Sequence, residues 1–145
     1  MSSPEENIAL MREAYDRYNQ KDAAFLIDWL TPDIVWVSHG DPAIMPTSGY
    51  RQGLEQVAEY FALLVRDWEV IRHDGVEFFG AGDRVVIRSR VKLRRLVTDM
   101  ILELDKADFW TVRGGRIHAY QEVFDSHPLH EVAAGRAVPA RNLPR

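Results

Sequence analysis

From the N-terminus, Ile8, Met11, Ala14, Tyr15 and Tyr18 recur at the spacing of one helical face. Ser3 precedes them as a cap, with Pro4 at the first helical position and Glu5 and Glu6 in the first turn, so a helix is predicted over about residues 5–20. Asp22 opens a second, short helix over about 22–31, built on Phe25, Leu26, Trp29 and Leu30 and ended by Pro32. The β-branched and aromatic run DIVWVSH, 33–39, reads as a strand, and GDPAIMPTSGY, 40–50, with two prolines and two glycines, as a loop. Val57, Tyr60, Phe61 and Leu64 then form the stripe of a third helix over 53–66. From residue 68 the period changes to two. Four strand-like runs follow, punctuated at Asp74-Gly75, Gly80 to Asp83 and Gly114-Gly115. The end, EVAAGRAVPARNLPR, begins helical and finishes irregular. Helices first and antiparallel strands later predict one α+β domain over 1–145, with helices on one face of a curved sheet.

Parity decides which strand residues face inward. In 84–96, Ile87, Ser89, Val91 and Leu93 alternate with Arg88, Arg90, Lys92 and Arg94, so the first set faces the core. In 100–112, Met100, Leu102, Leu104, Lys106, Asp108, Trp110 and Val112 share the inner face. The opposite face carries Ile101, Glu103, Asp105 and Phe109. Its acids suit the basic outer face of the preceding strand as cross-strand pairs. Lys106 and Asp108 are thus polar residues on a core face.

The last hairpin, ending in RIHAYQEVFD, admits two registers. A two-residue turn with Arg113 opposite Arg116 turns Ile117, Ala119 and Gln121 inward. A three-residue loop instead turns His118, Tyr120, Glu122 and Phe124 inward and brings Glu122 near Asp108.

Composition narrows the function classes. With 46% hydrophobic and 28% charged residues, the chain is expected to be a soluble globular protein. The net charge of −4, from 18 basic and 22 acidic residues, argues against a nucleic-acid partner. RVKLRR alternates with apolar residues and reads as an outer sheet face. The absence of cysteine excludes disulfides, thiolate catalysis and cysteine-bound metals. No long apolar run suggests a signal peptide or a membrane span, so a cytoplasmic location is expected. The histidines at 39, 73, 118, 127 and 130 are scattered and lack a ligand motif, so no metal is expected.

The order of elements, and the stretches NQKDAAFLIDWLTPDIVW and GGRIHAYQEVFD, resemble the nuclear transport factor 2-like superfamily. That group includes SnoaL-like polyketide cyclases, ketosteroid isomerases and limonene epoxide hydrolases. The resemblance spans about residues 5–134, leaving 135–145 as a tail. It implies a cone-shaped α+β barrel, in which N-terminal helices pack on a strongly curved, mixed, mostly antiparallel sheet around a pocket. It also favours the register with Glu122 inward, and it implies a homodimer through the outer sheet face.

The family's named active sites do not carry over. Against the epoxide hydrolases, Glu122 matches one Asp in kind, but Trp36 stands for the Tyr, Ser38 for the Asn, and Ser89 and Val91 for the Arg and second Asp. Against ketosteroid isomerases, Asp108 matches the protonated Asp, an enzyme whose neutral carboxyl is a known general case. Ser38, however, stands at the base and Ala14 at the Tyr, with Tyr15 and Tyr18 nearby. The single inward acid of the SnoaL-like cyclases is matched by Asp108 or Glu122.

Asp108 and Glu122 are therefore the candidate catalytic residues, and burial of two like charges is expected to raise at least one of their pKa values. Tyr18, Trp36, Ser38, Trp110, Tyr120 and Phe124 are the candidate substrate-binding residues. The expected function is a cofactor-independent acid–base enzyme, an isomerase, cyclase, dehydratase or hydrolase, acting on a small hydrophobic molecule. The alternative is a non-catalytic ligand-binding or dimerisation module of the same fold.

Overall fold

A computed structural model describes residues 2–22 and 24–138. Helix α1, Pro4–Asn19, starts as its sequence predicts: the Ser3 side chain accepts a hydrogen bond from the Glu6 N–H. Helix α2 is shorter than predicted, Ala24–Trp29. The carboxylate of Asp22, the expected cap, pairs with Arg17.

Strand β1 begins at Leu30 and runs to Ser38, through Pro32. The proline is tolerated because β1 leaves its neighbour there. Pairing with the last strand jumps from Leu30 to Val35, so no ladder bond is asked of a residue without an N–H. The expected loop contains a short strand, β2, Gly49–Gln52, antiparallel to the edge of β1. Helix α3, Leu54–Asp67, follows and buries Val57 and Tyr60. Strands β3 (Trp68–Ala81), β4 (Arg84–Arg95), β5 (Ile101–Arg113) and β6 (Arg116–Phe124) complete one six-stranded sheet in the order β2-β1-β6-β5-β4-β3. Only β1 and β6 run parallel. The fold is thus α+β, helices on a curled mixed sheet. A final helix, α4, His127–Ala133, lies against β5. The expected irregular end falls at 139–145, outside the described residues. Among the described residues no helix is long and apolar enough to cross a membrane.

The inward parity of β4 and β5 holds as read: Val85, Ile87, Ser89, Val91 and Leu93, and Leu102, Leu104, Lys106, Asp108, Trp110 and Val112, are all buried. The outer face carries the expected cross-strand pairs. Arg88 and Arg90 reach Asp105, and Lys92 stands opposite Glu103. A mostly apolar row also crosses this face through Phe79, Val86, Phe109, Gln121, Val37 and Tyr50, each beside the next.

The last hairpin departs from both expected registers. Its turn is the two-residue one, with Arg113 opposite Arg116. Gly114 and Gly115 both have positive φ, +56° and +75°, the primed turn that matches strand twist. Ile117 is therefore inward and fully buried. The ladder then slips: Val112 faces Ile117 but Thr111 faces Ala119, leaving His118 as an extra residue. The bulge reverses parity, so Tyr120 and Glu122 turn inward after all and Glu122 lands opposite Asp108.

Two apolar clusters divide the inside of the sheet. One gathers Met11, Leu30, Ile34, Val57, Ile87, Val112 and Ile117 under α1–α3; the other gathers Trp68, Val91, Leu93, Leu102, Leu104, Leu129 and Val132 beside α4. Between them, on β4 and β5, Ser89, Lys106 and Asp108 interrupt both apolar runs.

Candidate active site

The interruption is a buried ionic cluster centred on Lys106. Its Nζ lies 2.6 Å from Glu122 Oε2 and 3.3 Å from Asp108 Oδ1. Lys106 and Asp108, two apart on β5, share one face, and Glu122 stands directly across from Asp108 on β6. Ser38 is in turn the β1 neighbour of Glu122, and its hydroxyl donates to Glu122 Oε1.

Every acceptor of Asp108 is served. Tyr15 Oη and Ser89 Oγ each donate to Oδ2 at 2.6 Å, and His73 Nε2 lies 3.2 Å from the same oxygen. Tyr120 has one proton and two carboxylates within reach. The 2.6 Å bond to Glu122 Oε2 is favoured over the 3.1 Å contact with Asp108 Oδ1, which leaves Oδ1 to Lys106. Trp110 Nε1 donates to Tyr15 Oη at 3.0 Å, fixing that hydroxyl as a donor to Asp108.

The expected raised carboxyl pKa is not found. Burial alone pushes Asp108 up, but the Lys106 charge, then His73 and Ser89, outweigh it and hold the carboxyl far below its usual range. Burial also raises Glu122, yet the Lys106 charge together with hydrogen bonds from Lys106 and Ser38 brings it below the usual value despite repulsion by Asp108. For Lys106, burial favours loss of the proton, but the two carboxylates prevail and its pKa is raised. The expectation counted two like charges and placed Lys106 only on the same inner face; the lysine sits between both. A shared-proton carboxylate pair does not form.

The sign of the linkage follows. Depressed carboxyl pKa values stabilise the fold above the unfolded value of about 4, and that stabilisation is lost as pH falls below it. The raised lysine contributes below about 10.4 and is lost as pH rises above it. Urea-denaturation midpoints are expected to be flat between about pH 5 and 10 and to fall on either side.

The cluster forms one wall of a cavity of about 100 Å³. Glu122, Lys106, Ser38, Tyr15, Tyr120 and His73 reach it; Asp108 and Ser89 lie behind them. The candidates Tyr18, Trp36, Trp110 and Phe124 line the remainder, with Tyr60, Phe61, Leu64 and Leu129. All the sequence-selected residues are therefore brought together, though Asp108 is in a supporting position. The aromatic walls are in contact: Trp36 lies 4.4 Å from Tyr120 and 5.8 Å from Trp110, centroid to centroid.

His73 and Tyr15 are the residues that sequence reasoning left out. Tyr15 was visible on the α1 stripe but read as core. His73 is placed by an irregularity in β3: Val70 pairs with Leu93 and Arg72 with Lys92, so Ile71 is an extra residue and the strand's parity reverses. His73 then turns inward opposite Val91, and Asn19 at the end of α1 pins its backbone through both N–H and C=O. The imidazole lies beside Tyr15 and Tyr18. Asp108 only accepts, and Ser89 spends its proton on Asp108, so Nε2 carries a hydrogen toward them; Nδ1 has no hydrogen-bond partner among the described residues.

Residues 11–120 match the family model of the SnoaL-like domain. The chain belongs to that family. Solved structures bear out the nuclear transport factor 2-like fold. A nuclear transport factor 2-like protein of unknown function from Burkholderia pseudomallei K96243 superimposes with a TM-score of 0.77 at 22% identity, over 89% of this chain and 95% of that one. A candidate isomerase from Rhodopseudomonas palustris gives 0.76 at 23%, over 90% and 97%. TerC, crystallised with polyporic acid, gives 0.74 at 24%, over 91% and 99%. At these identities the likeness establishes the SnoaL-like fold and no activity. A comparison with curated proteins gives no match.

Proposed function

We propose that this SnoaL-like protein is a cofactor-independent acid–base enzyme that moves a proton on a small, mostly apolar substrate held in the cone cavity. The observation that carries the reading is the His73–Asp108 pair. An imidazole at the cavity wall is oriented by a carboxylate with no solvent exposure, and its second nitrogen has no hydrogen-bond partner among the described residues. Histidine is suited to proton transfer near neutral pH. In this reading His73 Nδ1 takes or returns the proton, and Asp108 is a positioning residue that fixes the tautomer. Glu122, held ionised by Lys106, Ser38 and Tyr120, supplies a fixed negative charge at the cavity that favours the positive charge His73 gains on taking the proton. Isomerisation, cyclisation and dehydration each need such a proton transfer.

The competing reading is a binding module without chemistry. It draws on the saturation of Lys106, Asp108 and Glu122, which satisfy one another as a structural ion cluster would. Hydrogen–deuterium exchange at the carbon α to the carbonyl of small aryl ketones, followed by NMR in D2O, separates the two. The enzyme reading expects exchange above the buffer rate that disappears in His73→Gln. A ketone that binds but exchanges no faster than in buffer returns the protein to the binding module.

We also propose the homodimer through the outer sheet face. Phe79, Phe109 and Tyr50 on the apolar row are 58%, 41% and 63% exposed, a surface better covered than solvated. Light scattering at micromolar concentration is expected to give twice 16.7 kDa, and the single mass would reject it.

A further inference from the structure

Lys106, Asp108 and Glu122 satisfy one another's hydrogen bonds without balancing one another's charge. Two ionised carboxylates meet one ammonium, so the buried cluster carries a formal excess of one negative charge. An uncompensated buried charge is costly, and a cation brought beside it offsets part of that cost. Arg51 does not supply it: its guanidinium is bonded to the C=O groups of Pro46 and Thr47 and lies outside the cavity lining. The open hydrogen-bonding position of the cluster has the matching polarity. The three N–H groups of Lys106 meet Glu122 Oε2, Asp108 Oδ1 and, at 3.3 Å, Tyr120 Oη, so the ammonium has no proton left for an incoming anion. Glu122 Oε1, by contrast, accepts from Ser38 and, as a carboxylate oxygen, can accept a second hydrogen. Glu122 is also the carboxylate that reaches the cavity. Next to it stand aromatic rings. On the inner face of the sheet Ser38 pairs with Glu122 and Trp36 with Tyr120, two residues along, so an aromatic row lies about 7 Å from the carboxylate row. Trp36, Tyr60 and Phe61 form a triangle of rings with centroids 5.5, 5.5 and 5.1 Å apart, and all three line the cavity. Ring faces of this kind attract cations.

We propose that the cavity takes a protonated lipophilic amine, its ammonium donating to Glu122 Oε1 beside the rings of Trp36, Tyr60 and Tyr120 and its apolar body lying against Leu104 and Leu129. The inference rests on the reading of the cavity as a substrate site and names the charge and class of its ligand.

The field across the aromatic wall has the same sign. Burial first, and then the charge of Glu122, push the Tyr60 pKa up. Burial first, and then the charge of Asp108, do the same at Tyr15 and Tyr120. A potential that resists a tyrosinate attracts an ammonium. Tyr18 is also raised, by burial above all, but there the Lys106 charge outweighs that of Glu122. The cation therefore belongs on the Trp36–Tyr60 side of the cavity, away from α1.

Phenethylamine, 2-phenylethanol and phenylacetate have nearly one shape and three charges, and calorimetry at pH 7 measures their affinities. Phenethylamine is expected to bind about tenfold or more tightly than 2-phenylethanol, the scale of a charge-assisted hydrogen bond, with phenylacetate weaker still. Glu122→Gln keeps an acceptor but leaves the cluster neutral. It is expected to weaken phenethylamine about tenfold or more and to leave 2-phenylethanol within about twofold. If this variant does not fold, the three probes on the parent protein decide alone. His73→Gln removes the other cavity group able to carry a positive charge and is expected to hold phenethylamine at least as tightly. The alcohol or the acid binding as tightly as the amine overturns the proposal. So does an absence of phenethylamine binding, its unchanged affinity in folded Glu122→Gln, or its loss in His73→Gln. The catalytic reading fails separately: aryl ketone exchange at the buffer rate, with the preference for phenethylamine intact, removes the chemistry and keeps the cation site. Exchange that depends on His73, with no preference for the amine, does the reverse.

Discussion

Replacing Lys106 by methionine is expected to lower the unfolding free energy by about 3–5 kcal/mol, the usual result of removing one partner from a buried ion pair. A domain of this kind is stable by only about 5–15 kcal/mol, so the loss is a large share of the total. The methionine fills a similar volume, and the damage is electrostatic. Glu122, 2.6 Å from the ammonium, and Asp108, 3.3 Å from it, are left without their cation in a site from which water is largely excluded. Urea denaturation at pH 7 measures the loss. A second signature is the sign of the pH dependence. Without the lysine, burial and mutual repulsion raise the folded carboxyl pKa values above about 4, so their penalty is relieved below that range and grows as pH rises through the new values. Lys106→Met is therefore expected to gain stability on acidification from pH 7 to 5, where the parent protein is flat. Adding Glu122→Gln should recover part of the loss. Strict additivity of the two changes would mean that Lys106 and Glu122 do not interact.

What the sequence disclosed and what it hid divide along one physical line. Strictly alternating strands were readable: the parity of β4 and β5 placed Ser89, Lys106, Asp108 and Trp110 on the inner face, where they are. Capping chemistry likewise located the start of α1. Bulges were not readable, because one extra residue leaves no mark in the hydrophobic pattern yet exchanges the faces of everything beyond it. At His118 a bulge turned Glu122 inward behind a two-residue turn that by itself would have turned it outward. At Ile71 another turned His73 inward, where continued parity from Trp68 and Val70 would have put Arg72. Gly75, farther along the same strand, was a visible clue to an unusual backbone. A Cβ there would meet the Phe78 ring at 2.3 Å. Lys106 was hidden differently. Its position was read correctly, but its reach to both carboxylates depended on the unsettled register of β6. With that register unknown, the balance between desolvation and attraction had no determinable sign, and the expected rise in carboxyl pKa was the wrong one.

Asp108→Asn is expected to reduce α-proton exchange of the aryl ketones by about 10²-fold or more, the scale of general acid–base catalysis, while leaving their affinity within a few-fold. The carboxylate does not meet the substrate; it lies behind His73 and accepts its Nε2 hydrogen at 3.2 Å. An amide in its place offers one acceptor and one NH2 group to neighbours that are all donors: Tyr15, Ser89, His73 and Lys106. Some of those contacts become donor against donor, and the imidazole loses the anion that holds its proton on Nε2 and its lone pair on Nδ1. Stability should fall as well, by about 3 kcal/mol, because a carboxylate whose pKa lies below the unfolded value stabilises the fold and its removal leaves Lys106 under-compensated. Two like charges without a cation between them would give the reverse, a neutralisation that is harmless or stabilising. His73→Gln should lose activity to the same extent at a stability cost below about 1 kcal/mol, since the imidazole is half-buried at the wall of the cavity. The double variant is the decisive measurement. If Asp108 acts only through His73, Asp108→Asn removes nothing further once His73 is gone, and the double variant exchanges as slowly as His73→Gln alone. Losses that multiply would give Asp108 a role of its own in the chemistry, and a fully active His73→Gln would remove the imidazole from the mechanism altogether.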